Sequence, residues 1–170
     1  MKYTVGFIII VVLVIVGCDY QEPLTADHTV SIDQSVLGLW EEVPKGDKPP
    51  NPDERILILR FSDTEYLIHY PTGKDGLFFR GYPINVEGIS CVQVQLIGGY
   101  DGDIEKEDRK YQVISYSLSN GILEGRTLNT DLVDKNLQDS ASLRQAFLKH
   151  KDNKDLFKNP GTFRRIKEKN

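Results

Sequence analysis

The chain has 170 residues, of which 39% are hydrophobic and 27% charged, and its formal net charge is −4 at pH 7. That length and composition suffice for a single domain with its own hydrophobic core. The negative charge argues against nucleic acid as a partner, because proteins that bind nucleic acid present a basic face to the phosphates.

The first predicted element is an apolar segment at residues 5–17, which contains no charged side chain and follows Lys2. A helix needs roughly 20 apolar residues to cross a bilayer core, whereas the apolar region of a signal peptide holds about 7–15. The segment ends at Gly17-Cys18, and polar residues follow at once. Its length and abrupt end favour a cleaved signal peptide at residues 1–17 over an uncleaved anchor helix.

The junction Ile15-Val16-Gly17-Cys18 resembles the lipobox of bacterial lipoproteins. The resemblance implies cleavage between Gly17 and Cys18, a diacylglycerol on the Cys18 thiol, and acylation of the new amino terminus by a fatty acid such as palmitate. Two or more acyl chains hold a protein stably on a membrane, so the membrane is an expected partner through Cys18. Asp19 resembles the inner-membrane retention signal of enteric bacteria, which implies the periplasmic face of that membrane; the outer membrane is the alternative.

Residues 18–34 are polar and lack apolar periodicity, which predicts a lipidated cysteine followed by a tether. Residues 35–170 form the predicted folded domain, because short apolar runs of period two, typical of β-strands, alternate there with turn residues. Asn120-Gly121 between two such runs is a strong hairpin signal. The predicted strands are residues 36–43, 55–61, 66–70, 77–86, 89–97, 111–118, 122–128 and 162–167.

One helix is predicted at residues 139–151, before the last strand. Asp139 can accept hydrogen bonds from the free N–H groups of the first helical turn, and Leu143, Ala146 and Phe147 share one face. About eight strands in meander order with one helix predict a mainly β fold, a small antiparallel barrel. We expect the helix to plug one end of the barrel or to lie against its wall.

Gly38-Leu39-Trp40 on the first predicted strand resembles the Gly-x-Trp signature of lipocalin-like (calycin) barrels. The resemblance implies that Gly38 and Trp40 form one closed end of the barrel, with Trp40 lying beneath a basic residue of the last strand. Arg164 or Arg165 is the expected basic residue, in a cation–π contact with the indole ring.

The acidic segment Asp101-Gly102-Asp103 resembles the start of a calcium loop, but the remainder does not fit. The EF-hand pattern needs Gly and Glu at places that Lys106 and Gln112 occupy. We therefore predict a solvated acidic loop here, with no metal site and no cofactor.

No motif predicts catalysis. His28, His69 and His150 stand in no metal or triad spacing, and the chain has no Gly-x-Ser-x-Gly elbow. Cys91 would have no partner if Cys18 carries lipid, and its alternating strand-like surroundings predict a buried, inert thiol. We expect a protein that is not an enzyme and has no catalytic residue.

Two classes of function remain. One is a protein-interaction or scaffolding module with an envelope protein as partner, for which the polar loops 44–53 and 98–109 offer contact surfaces. The alternative is a carrier of a small apolar ligand, because a barrel of about eight strands holds either side chains or one small ligand. The short chain and the helix, which uses space at one end, favour the interaction module.

Overall fold

A computed structural model describes residues 19–44, 46, 49–73, 75–105 and 110–166. The predicted signal peptide and Cys18 lie outside these residues. The described part contains one short 3₁₀ helix, nine strands and one α-helix. In chain order they are η1 (Gln34–Val36), β1 (Gly38–Glu42), β2 (Arg55–Arg60), β3 (Tyr66–Tyr70), β4 (Leu77–Val86), β5 (Ile89–Gly99), β6 (Gly102–Asp103), β7 (Tyr111–Ser119), β8 (Ile122–Leu128), α1 (Ser140–Lys149) and β9 (Phe157–Arg165).

Eight of the described strands form one closed antiparallel ring. They pair in the order β4-β3-β2-β1-β9-β8-β7-β5, and the pairing of β4 with β5 closes the ring. The two-residue β6 only prolongs the hairpin at the end of β5. The predicted fold is confirmed as a mainly β, antiparallel meander barrel of eight strands with one helix before the last strand.

Two tight turns mark one end of this barrel. Glu87-Gly88 has φ angles of 48° and 89°, and Asn120-Gly121 has φ angles of 52° and 76°. Positive φ at both central residues is typical of the type I′ turn, whose twist matches that of paired strands. These turns and the β2–β3 hairpin lie at what we call the upper end. The lower end carries the connections β1–β2, β3–β4, β5–β7 and β8–β9.

The last strand begins earlier than its alternating pattern predicts. β9 starts at Phe157, five residues before the predicted strand at residues 162–167, and runs through Asn159-Pro160-Gly161. The pairing with β8 shifts register between Gly125 and Thr127, which indicates a β-bulge. A bulge accommodates the positive φ of Asn159, 55°, and the missing N–H of Pro160 without ending the strand.

α1 is capped as the sequence predicts. The carboxylate of Asp139 accepts a hydrogen bond from the Ser142 N–H at 2.7 Å. The buried residues of the helix, Leu143 and Phe147, pack in one cluster with Ile84 and Cys91 of the barrel wall. The helix therefore lies against the wall of the barrel.

Alternation along β4 and β5 divides the buried hydrophobic side chains into two clusters. Phe79 and Val92 point into the barrel, whereas Tyr82 and Cys91 point outward. The interior cluster comprises Val36, Trp40, Ile56, Ile58, Tyr66, Tyr70, Phe79, Val92, Val94, Leu123 and Phe163. The outer cluster comprises Tyr20, Leu24, Tyr82, Ile84, Val86, Cys91, Val113, Leu128, Val133, Leu143, Phe147 and Leu156.

Residues 19–33 do not form the tether that their polarity predicts. Tyr20 and Leu24 are 1% and 2% exposed within the outer cluster, so that prediction is wrong for this segment. The segment runs along the barrel from Tyr111 at the lower end to Asp63 at the upper end, and we call it the strap. It packs there because the outward faces of β4, β5 and β7 are apolar and need a cover.

The side-chain amide of Gln93 holds the middle of the strap. Gln93 is fully buried; its carbonyl accepts from the Leu24 N–H at 2.6 Å, and its NH₂ donates to the Thr25 carbonyl at 3.1 Å and to the Tyr82 hydroxyl. A buried amide is costly without such partners. The strap thus supplies the backbone donors that satisfy the Gln93 amide oxygen.

Candidate functional site

The interior of the barrel contains an apolar cavity of about 90 Å³. Its lining comes from the inward side chains of β2, β3, β4, β5, β7, β8 and β9, and from Val36 of η1. Ile56, Phe79, Val94 and Phe163 are representative of these side chains, which are aliphatic or aromatic. The cavity is therefore a candidate site for an apolar molecule.

The size of this cavity limits what it can hold without rearrangement. An apolar cavity of about 150 Å³ binds benzene, and pockets for drug-sized ligands measure about 300–1,000 Å³. At about 90 Å³, this cavity is smaller than either. A lipid-sized ligand would have to displace side chains of the interior cluster.

The upper end of the barrel is closed by Trp40 and Arg165. The structure places Arg165, and not Arg164, over the indole, with its guanidinium carbon 4.5 Å from the ring centroid. The same guanidinium donates to the carbonyls of Leu37, at 2.6 Å, and Ser35. Arg164 instead pairs with the carboxylate of Glu41 at 2.7 Å.

Gly38 has two reasons to be glycine at this closed end. Its φ angle is +128°, a region that residues with a side chain rarely adopt. A Cβ atom at this position would also lie 3.0 Å from a guanidinium nitrogen of Arg165. The Trp40 Nε1–H donates to the Val36 carbonyl at 2.8 Å, which fixes η1 across the end. Gly38, Trp40 and Arg165 thus act together as a structural closure.

Two tyrosines line the cavity and turn their hydroxyls toward the end of the strap. The Tyr66 hydroxyl accepts from the Asp33 N–H at 2.6 Å and is also hydrogen-bonded to the Tyr116 hydroxyl. Burial raises the pKa of both phenols above the ordinary value. Both therefore stay protonated at neutral pH, and neither supplies a general base.

A polar cluster joins the strap to the barrel near the upper end. The buried carboxylate of Glu65 accepts two hydrogen bonds from the Arg80 guanidinium, at 3.0 and 2.5 Å, and lies 2.7 Å from His28 Nδ1. The His28 ring also packs on Tyr82, with centroids 3.6 Å apart. The hydrogen bonds from Arg80 and His28 lower the pKa of Glu65 despite its burial. Glu65 is thus bonded both to Arg80 of the barrel and to His28 of the strap. We call these three residues the latch.

Sequence analysis did not bring these residues together. The polar composition around His28 predicts a tether, and Glu65 and Arg80 belong to no motif. No pattern distinguishes Glu65 from Asp63, which lies between the same two strands and is exposed. Polar groups this well satisfied are typical of structural clusters.

The other chemically capable side chains are dispersed. His69 stacks on Phe78, with centroids 4.3 Å apart, and burial lowers its pKa. His150 caps the end of α1 through its backbone N–H. Burial raises the pKa of the Cys91 thiol to about 12, so it is not a thiolate at neutral pH. Among the described residues, no group of three or more His, Cys, Asp or Glu side chains is placed to hold a metal ion.

An exposed apolar surface lies at the upper end, around the β2–β3 hairpin. Phe61 is 63% exposed, and Leu59 and Val30 are also exposed. Val30 belongs to the strap, whose Ile32 N–H donates to the Asp63 carbonyl of the hairpin at 3.0 Å. We call Val30, Leu59 and Phe61 the hairpin patch. Sequence analysis missed it, because alternation predicts which residues point outward but not which of them remain uncovered.

Neither helix of the described residues is long and apolar enough to cross a membrane. Comparison of the chain with protein-family models, with curated proteins and with solved structures finds no match.

Proposed function

We propose that this protein is a lipid-anchored protein of the bacterial cell envelope whose barrel is a non-catalytic protein-interaction or scaffolding module. The observation that carries the proposal is the hairpin patch, where Leu59 and Phe61, two residues apart beside the β2–β3 hairpin, are exposed, as is Val30 of the strap. The anchor is Cys18, acylated after cleavage behind Gly17, and the expected location is the periplasmic face of the inner membrane, with the outer membrane as the alternative.

The support beneath the hairpin patch favours recognition of a protein. The Phe61 N–H donates to the Glu65 carbonyl at 2.9 Å, and the Glu65 side chain is held by Arg80. A partner therefore pays little ordering entropy at this surface, which favours affinity. Clustered aromatic and apolar side chains on such a support are typical of interface hot spots.

Site-specific photocrosslinking in the native bacterium tests the interaction. A photoreactive residue at position 61 should give a discrete crosslinked protein product, because Phe61 is at the centre of the hairpin patch. The matched control is position 122, because Ile122 is also exposed and lies at the same end of the barrel.

A Phe61→Ser variant should then lose the partner in a pulldown, with its stability changed by no more than about 0.5 kcal/mol, as is usual for a surface site. The Ile122→Ser variant should retain it. Equal crosslinking at both positions, or recovery of the partner with Phe61→Ser, would contradict the proposed interaction surface.

The lipid anchor has its own test. A Cys18→Ser variant should accumulate as an unprocessed precursor and incorporate no labelled palmitate, because the acylated thiol is gone. Normal processing and labelling of this variant would show that the anchor is assigned wrongly. Fractionation of the native membranes separates the inner-membrane location from the outer-membrane alternative.

A carrier of a small apolar ligand is the second candidate, and the apolar lining of the cavity favours it. Native mass spectrometry of the lipoprotein released in detergent distinguishes the two functions. The interaction module predicts the mass of the acylated chain alone. The carrier would be the better proposal if wild type retained an apolar molecule in stoichiometric amount. A variant with a larger side chain in the cavity should then lose that molecule.

A further inference from the structure

The strap leaves almost no free chain between the proposed lipid and the barrel. Tyr20 and Tyr111 exchange two backbone hydrogen bonds, at 3.0 and 2.8 Å, and the Tyr20 hydroxyl donates to the Val133 carbonyl at 2.9 Å. Asp19 lies 3.9 Å from the ammonium group of Lys135. The chain is thus fixed to the lower end of the barrel at Tyr20, two residues after Cys18.

Chain geometry then limits where the lipid can sit. Two peptide units separate Cys18 from Tyr20, and they span at most about 7.6 Å between Cα atoms. A flexible tether of about 15 residues would instead have an end-to-end distance of roughly 20 Å. The acyl chains must therefore enter the bilayer beside the lower end of the barrel, close to Lys135.

The lower end also carries the most exposed aromatic side chain of the described residues. Tyr100 is 78% exposed at the tip of the β5–β6 hairpin, where Gly98 pairs with Asp103 and Gly99 with Gly102. Gln95 pairs with Tyr111, and Tyr100 lies five residues further along the chain, beyond that pair at the lower end. Tyrosine is enriched at membrane–water interfaces because its ring is amphipathic.

We propose that the lower end of the barrel rests directly on the bilayer and that Tyr100 lies in its headgroup layer. The proposal rests on the acylation of Cys18 given under the proposed function. The exposed charges of this end have both signs, among them Lys135, Asp101 and Asp134. The contact therefore depends on the short connection, which brings the tip of the β5–β6 hairpin to the headgroup layer, and not on attraction to anionic lipid.

This placement orients the rest of the molecule. Trp40 and the hairpin patch lie at the upper end, so they point away from the membrane. A partner of the hairpin patch would accordingly be bound on the aqueous side, and the fixed strap would keep the patch at a constant height above the bilayer.

Fluorescence quenching tests the placement with the full acylated protein. Variants Tyr100→Cys and Phe61→Cys are labelled with an environment-sensitive dye at the added thiol; Cys18 carries the proposed lipid, and Cys91 is 1% exposed and remains unlabelled in the folded state. Each is reconstituted into phosphatidylethanolamine–phosphatidylglycerol vesicles that contain a lipid with a nitroxide headgroup. Quenching should be several-fold greater at position 100 than at position 61, and should not change with salt.

A linker variant separates the short connection from other causes of contact. Insertion of about 16 Gly and Ser residues between Asp19 and Tyr20 adds roughly 20–24 Å of flexible reach. Palmitate labelling and flotation with the vesicles should be unchanged, while quenching at position 100 falls several-fold. Persistence of that quenching would overturn the proposal, because the strap would not be what holds the barrel down.

The outcomes also separate this inference from the proposed anchor. Flotation with equal quenching at positions 100 and 61 would overturn the placement and leave the anchor intact. Absence of palmitate and of flotation would overturn the anchor and the placement together.

Discussion

The two hydrophobic clusters of this protein are built in different ways. The interior cluster is assembled by a repeating rule, in which each strand of the ring contributes every second side chain and Trp40 and Val36 close one end. The outer cluster is assembled from distant segments: Tyr20 and Leu24 of the strap, Phe147 of α1 and residues of four strands. The interior cluster follows from closing the sheet into a ring. The outer cluster exists only because the strap and α1 cover one side of that ring.

The comparison shows that the barrel wall is asymmetric. On the side of β4, β5 and β7, the strap and α1 bury the outward side chains, among them Ile84 and Val113. On the side of the β2–β3 hairpin, Leu59 and Phe61 stay exposed. The covered side holds the strap in place, and the uncovered side carries the surface that we propose for recognition. Substitutions in each region test this division.

The largest effect is expected at the closed end of the interior cluster. Trp40→Ala should lower the free energy of unfolding by about 3–5 kcal/mol, because it removes a fully buried indole and the ring on which the Arg165 guanidinium packs. Urea denaturation measures the loss. Phe61→Ala is the control, with an expected change within about 0.5 kcal/mol for an exposed aromatic. A loss below about 1 kcal/mol for Trp40→Ala would show that the indole is not part of the core.

A comparable but smaller loss is expected from the strap. Leu24→Ala should cost about 2–5 kcal/mol, as for other buried leucines. Val30→Ala is the matched control in the same segment, because Val30 is exposed. Equal and negligible losses for both variants would show that the strap behaves as the tether that its composition predicts, and that the outer cluster is stable without it.

The interior of the barrel was largely predictable from the sequence. Alternation fixes which side chains of β2 and β3 point inward, and Asn120-Gly121 defines its hairpin locally. Gly38 and Trp40 also indicated which end of the barrel is closed. Whether Arg164 or Arg165 lies over Trp40 depends on the register of β9. β9 crosses a bulge, and a shift of one residue exchanges which arginine faces Trp40.

The outer cluster could not be derived in the same way. Tyr20 and Leu24 are isolated apolar residues in a polar segment, so no period shows that they are buried. A weaker signal was present in β4, where the run at residues 82–84 is apolar on both faces. Such runs predict that something covers the outer side, but not which segment supplies the cover, because that depends on contacts between residues far apart in sequence.

The latch between strap and wall should make stability depend on acid. The pKa of Glu65 is lowered in the folded state by Arg80 and His28. The stability that Glu65 contributes is therefore complete above the pKa of the unfolded state, about 4.5. It is lost as the pH falls through the lower pKa of the folded state.

Glu65→Gln should destabilise the protein by about 1.5–3 kcal/mol at neutral pH, as for hydrogen bonds to charged groups. Its urea midpoint should also fall less than that of wild type on acidification. Parallel pH profiles for the two proteins would contradict a role for this carboxylate in holding the strap.

The smallest effect is expected at Gly125, where the interior cluster is incompletely packed. Gly125 lines the cavity, and a Cβ atom there would lie 3.7 Å from Ile114, which is ordinary van der Waals contact. Gly125→Ala should therefore raise the free energy of unfolding by about 0.4–1 kcal/mol, because it restricts the unfolded chain and adds contacts without strain. The control is Gly121→Ala, which should destabilise, because the φ angle of +76° at Gly121 disfavours any side chain. Destabilisation by both substitutions would indicate that the space beside Ile114 is not available to an added methyl group.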